Sequence, residues 1–114
     1  MIELDSRQVA PDTWVVSIVG RLIIGSDGPR VQNLISSLFG QGARRVVIDM
    51  AGVTHLDSTG IGYLVAAMND AMNAEADLLL AAATVKTREA FRLTRLDSVF
   101  QFFDSVEAAT ASRR

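Results

Sequence analysis

Residues 45–64 constrain this chain more than any other stretch. They read Arg45-Val46-Val47-Ile48-Asp49-Met50-Ala51-Gly52-Val53-Thr54-His55-Leu56-Asp57-Ser58-Thr59-Gly60-Ile61-Gly62-Tyr63-Leu64. Val46, Val47 and Ile48 are consecutive β-branched residues, the composition of a buried strand, and Ala51-Gly52 predicts that the run breaks into a short turn. From Ile61 the apolar spacing becomes helical: Ile61, Leu64, Val65, Met68 and Met72 form one stripe, with both methionines read as core. Either Asp57 or Ser58 stands where the N-cap of that helix belongs. A serine hydroxyl there lies beside free backbone N–H groups and the positive end of the helix dipole. It is either a plain cap or a place where a phosphate is added and removed.

The rest of the chain alternates in the same way. Ile2 to Val9 and Thr13 to Val19 read as strands joined at Pro11-Asp12, a hairpin. Gly20 to Gly28 reads as a loop. Pro29 suits a first helical turn, and Val31, Leu34, Ile35, Leu38 and Phe39 make a helix stripe ending near Gly40 or Gly42. A buried strand is expected over Asp77 to Ala83, a short helix over Thr84 to Thr94, a strand over Val99 to Phe103 and a last helix over Ser105 to Ala111. The pattern predicts an α/β domain with a mixed sheet of four or five strands. About four helices pack on that sheet, near 29–40, 58–73, 85–95 and 105–111. Val31, Leu34, Leu38, Val47, Leu64 and Met68 should be buried. One domain is expected over 1–114, with an ordered core over 1–111 and a loose tail at Ser112-Arg113-Arg114.

Composition then removes several classes of function. Apolar residues make up 49% of the 114 residues, enough for one modest core. No unbroken apolar run reaches the roughly 18 residues of a membrane span. The N-terminus lacks a basic and a long apolar region, so no signal peptide is expected, and the domain reads as cytosolic. The absence of cysteine excludes a disulfide scaffold, a thiolate metal site and a thiol nucleophile. A net charge of −2 argues against nucleic acid as a partner. His55 is the one histidine, without a neighbouring ligand set, and reads as a turn or edge residue. Gly25-Ser26-Asp27-Gly28 precedes a helix but lacks the Lys-Ser/Thr ending of a phosphate loop. Arg88, Arg92 and Arg95 share a helical face, read as solvated. No metal and no cofactor are expected.

The segment Asp57-Ser58-Thr59-Gly60-Ile61-Gly62, after an apolar strand ending in Asp49, resembles the signature of STAS domains. Among these the chain is most similar to bacterial anti-sigma factor antagonists. Gly20-Arg21-Leu22 matches that family's Gly-x-Leu. Thr94-x-Leu96-Asp97 leading into Val99-Phe100, then Phe103-Asp104-Ser105-Val106-Glu107-Ala108-Ala109, matches its C-terminal pattern. The resemblance covers almost the whole chain.

It implies a protein-binding switch with no catalytic residue of its own. Ser58 would be phosphorylated by an anti-sigma factor that is itself a serine kinase, and a metal-dependent serine phosphatase would reverse the modification. The unphosphorylated form would hold the anti-sigma factor and free a sigma factor. The docking surface is expected around Gly20 to Ser26 and Asp57 to Tyr63. Its named contacts are Asp57, Ser58, Thr59, Gly60, Ile61, Arg21 and Ile23, with Gly60 and Gly62 admitting a partner's backbone. Two positions depart from the family pattern. Ile23 stands where an aspartate is common, and Arg95 where a glycine is usual, which predicts a different helix end. The alternative within the same fold is a STAS subunit of a lipid-transport ATPase complex or a stress-signalling scaffold. A small enzyme or nucleotide-binding protein is a third possibility, disfavoured because base, metal cluster and phosphate loop are missing.

Overall fold

The computed structural model describes residues 2–25 and 27–112. Met1, Ser26, Arg113 and Arg114 lie outside the described residues, and with them most of the expected tail and one residue of the expected docking loop. The strands are β1 (Ile2–Ala10), β2 (Thr13–Leu22), β3 (Arg45–Leu56), β4 (Asp77–Ala81) and β5 (Gln101–Phe103). The helices are α1 (Gly28–Gly40), α2 (Ser58–Asn73), α3 (Val85–Leu93) and α4 (Val106–Ala111). One mixed sheet runs in the order β1-β2-β3-β4-β5. β1 and β2 form the expected antiparallel hairpin, and the pairs from β2 to β5 are parallel.

The central strands read as continuous apolar runs because both of their faces are covered. Val46, Ile48 and Met50 point to one face, into a core shared with Val31 and Ile35 of α1, Leu64 of α2 and Phe91 of α3. Val47 points to the other, with Val15, Leu79 and Ala81, beneath Ala109 and Val106 of α4. Phe91 meets Phe100 and Phe102 edge to face, with ring centroids 5.3 and 5.2 Å apart. α4 has only six residues and is fastened from outside: the Arg45 guanidinium donates to the carbonyls of Thr110 and Ser112.

Several boundaries differ from expectation. Ala51-Gly52 does not end β3, which continues to Leu56. The register against β2 shifts there, and the Asp49 carboxylate accepts from the Ala51 N–H at 3.0 Å. Gly52 lies so close to β2 that an added Cβ would stand 2.8 Å from Val19, so this glycine permits pairing through a bulge. Likewise β2 runs through Gly20 to Leu22, shortening the expected loop. β4 stops at Ala81 and β5 starts at Gln101.

Met72 is not core. It is 67% exposed, because the inward line of α2 is Ile61, Leu64, Ala67 and Ala71. The small alanines face inward along that line, and Met68, like Leu34 of α1, is only half-buried. Arg95 does not give a different kind of helix end. It takes the left-handed conformation with φ 61°, and the Leu96 N–H donates back to the Phe91 carbonyl at 2.9 Å, the closure a glycine ordinarily makes.

That conformation costs an L-residue about 1–2 kcal/mol, partly offset by the extra freedom glycine has when unfolded. Arg95→Gly should therefore stabilise the fold by about 0.5–1 kcal/mol, read as a higher urea midpoint at unchanged slope. An unchanged or lower midpoint would contradict this account of the α3 end.

Candidate functional site

The end of β2, the loop that follows it and the start of α2 meet at the C-terminal edge of the parallel strands. β3 passes into α2 through Asp57 alone, held in extended backbone with φ −117° and ψ −178°. Asp57, and not Ser58, is the N-cap. Its Oδ1 accepts from the Gly60 N–H at 2.8 Å, and its carbonyl takes the first helical bond from the Ile61 N–H at 2.9 Å. The second carboxylate oxygen, Oδ2, accepts from the Ile24 N–H at 2.9 Å, across a separation of 33 residues. The amides of Ile24 and Gly60, in that order, hold the Asp57 carboxyl below its ordinary value of 3.8.

The loop is pressed against α2 at two further points, both set by glycines. A Cβ on Gly60 would lie 2.0 Å from the Leu22 carbonyl oxygen, so only glycine lets β2 approach the helix this closely. A Cβ on Gly28, the first residue of α1, would lie 2.0 Å from the Tyr63 ring, which occupies that space instead.

The expected contact residues divide into two groups. Ser58 is exposed in the first turn of α2, Arg21 is exposed, and Asp57, Thr59 and Ile23 are half-buried around it. Gly60 and Ile61 are buried, Ile61 to 1%, so these two support the site from beneath. Gly62 is exposed and faces open space. Ile24, at 72% exposure, is the most prominent apolar group of the loop. It falls within the expected docking stretch Gly20 to Ser26, next to Ile23. The Asp57–Ile24 bond and the seating of Tyr63 on Gly28 have no local signal, because each joins residues far apart in the chain.

Other candidates separate from the site. His55 is exposed, with Nδ1 3.1 Å from the Thr54 hydroxyl. Arg88 stacks over the Phe102 ring at 4.6 Å, Arg92 pairs with Glu89, and Arg95 lies past the end of α3. All three arginines are exposed, and Arg88 and Arg92 share one face of α3, while Arg95 lies beyond its end. Among the described residues no group of three or more His, Cys, Asp or Glu side chains is placed to hold a metal ion. Among the described residues no helix is long and apolar enough to cross a membrane.

The STAS domain family model matches residues 6–109, and the chain belongs to that family. Its fold is similar to an anti-sigma factor antagonist from Mycobacterium paratuberculosis, 23% identical with a TM-score of 0.82, over 96% of this chain and 92% of that one. It is also similar to the anti-sigma factor antagonist SpoIIAA, at 19% identity in both of two solved forms. The unphosphorylated form gives a TM-score of 0.80 over 95% of this chain and 93% of that one. The phosphorylated form, from Bacillus, gives 0.73 over 95% and 96%. A sulfate transporter family protein from Wolinella succinogenes is 17% identical, with a TM-score of 0.75 over 92% and 87%. At these identities the likeness is one of fold.

Two outcomes follow from the geometry. Gly60→Ala should destabilise the protein by about 3 kcal/mol, since the Leu22 backbone must move, whereas Gly62→Ala should be neutral or stabilising by up to about 1 kcal/mol. Chemical denaturation of the pair checks this, and equal midpoints would remove the close approach. The second outcome concerns Asp57. A carboxyl whose value is lowered by folding adds stability that is complete above its unfolded value and lost as pH falls through the folded one. At pH 7 Asp57→Asn should cost about 1–2 kcal/mol. The gap from wild type should close as pH falls below about 3.8. A gap independent of pH would remove the charge from the argument.

Proposed function

We propose that this chain is an anti-sigma factor antagonist that works as a phosphorylation switch at Ser58. The observation that carries the reading is the capping arrangement. Asp57 caps α2, so the Ser58 hydroxyl is released from that duty and stands exposed in the first helical turn. In this reading the unphosphorylated protein binds an anti-sigma factor that is a serine kinase through Arg21, Ile23, Asp57, Ser58 and Thr59. A metal-dependent serine phosphatase restores the binding form. The chain is then a binding protein and not an enzyme, acting in the cytoplasm without contacting nucleic acid or membrane. The anti-sigma factor antagonists of the same fold, one of them solved phosphorylated and unphosphorylated, support it.

The electrostatics give the switch its direction. A phosphoryl group adds about −1.5 to −2 charges at neutral pH. The start of a helix tolerates that charge, so the free fold survives modification. A docked partner would have to desolvate it beside the Asp57 carboxylate, which costs several kcal/mol unless a cation is supplied. Release of the partner is the expected readout.

A second reading has one observation in its favour. The similar fold of a sulfate transporter family protein fits a STAS subunit of a transport assembly, where the serine edge binds without a phosphorylation cycle. Titration of variants against a kinase-type anti-sigma factor separates the two. Ser58→Ala should bind as wild type does, and Ser58→Asp at least about tenfold more weakly, equivalent to about 1.4 kcal/mol. Thermal melts should show both variants folded. Equal affinities for the two, or no phosphate on Ser58 after incubation with the kinase and ATP, would transfer the weight to the transport reading.

A further inference from the structure

β1 is a nine-residue edge strand, and its outer side meets no other strand among the described residues. A long edge of this kind presents a row of unpaired N–H and C=O groups, which proteins usually cover or protect. Its two faces differ. Glu3, Asp5 and Arg7 lie on one face, exposed. Leu4 and Ser6 lie on the other and, together with Asp5 between them, border a groove of about 450 Å³ that Arg30, Asn33 and Leu34 of α1 complete. No salt bridge engages Asp5 or Arg7 among the described residues.

We propose that β1 pairs antiparallel with β1 of a second copy of this chain, about a two-fold axis through Ser6. The charges select that register. With Ser6 opposite Ser6, Asp5 of each copy faces Arg7 of the other, and Glu3 faces the uncharged Val9. Centring the pair on Asp5 gains Glu3 against Arg7 but sets Asp5 against Asp5 on the axis, and centring it on Arg7 sets Arg7 against Arg7. Like charges directly opposite are destabilising, and opposite charges stabilising. Intermediate registers would set the charged face of one strand against the Leu4 face of the other. Self-complementarity of this kind is what a two-fold interface requires, and an unrelated strand would have to match both charges by chance.

The result is a continuous ten-stranded sheet. Ile2 pairs with Gly20, near the Asp57 end of β2, so the axis sends the two Ser58 sites to opposite ends and covers neither. The dimer is therefore independent of the phosphorylation switch. A strand pair is a small interface, so the dissociation constant should be on the order of 10–100 μM.

The chain has no cysteine, which makes the test direct. Opposed residues in an antiparallel pair have Cα atoms about 4.5–5.5 Å apart, within disulfide range. Ser6→Cys should form a disulfide between copies at least about tenfold faster than Ser98→Cys, an exposed control far from the axis. In sedimentation experiments on the full chain, Asp5→Arg and Arg7→Asp should each weaken the dimer at least about tenfold. The double exchange, Asp5→Arg with Arg7→Asp, should restore it. These residues are exposed, and thermal melts establish that the variants are folded. A wild type that stays monomeric up to about 1 mM, well above the expected range, would overturn the proposal. So would a dimer indifferent to both charge reversals, or equal cross-linking rates for the two cysteine variants.

Discussion

The carboxyl edge of the sheet, where the candidate site lies, depends on one carboxylate making two bonds. Asp57 takes the Gly60 amide on one oxygen and the Ile24 amide on the other. The first bond starts α2, and the second pins the β2–α1 loop to that start. A serine or threonine cap has a single side-chain oxygen, whereas the carboxylate offers a separate oxygen to each amide. With Asp57 so engaged, the next residue is free to be something other than a cap. The exposed hydroxyl of Ser58 is thus a consequence of what its neighbour does.

The carboxylate works because the rest of the fold brings its partners within reach. Three parallel pairs place the ends of β2 and β3 side by side, and open α/β sheets present their sites at this carboxyl edge. Both faces of β3 are buried, so its register is fixed by packing and the position of Asp57 with it. Gly60 and Gly28 then remove the side chains that would hold the loop away. A packed floor under a short exposed segment would suit the binding surface proposed for it.

Charge is arranged to match. An anionic group at the start of α2 is welcome to the helix dipole, and the Ile24 and Gly60 amides, in that order, lower the Asp57 titration. The same charge is unwelcome to an approaching surface. In the proposed switch one modification would therefore leave the fold intact while altering association, and the distant edge strand would remain available for contacts of its own.

The sequence by itself determined the element order, the hairpin and the family. Each rests on local periodicity or on a short motif, and local patterns survive the loss of three-dimensional context. It also placed Ser58 at a helix start. It could not decide between Asp57 and Ser58 as the cap, because both types cap helices; nor could it show that the capping carboxylate also reaches 33 residues back to Ile24. It read Ala51-Gly52 as a break where the structure has a bulge, since the close approach of Val19 is a property of the neighbouring strand. It placed Met72 inside, because apolar spacing alone cannot tell which side of α2 the alanines turn inward. It took Gly60 for an opening to partners, whereas that opening is filled by the backbone of Leu22. What the chain is made of fixed which elements form. Which atoms face each other at Asp57, and so which hydroxyl is left exposed, was decided by packing between segments that are strangers in sequence.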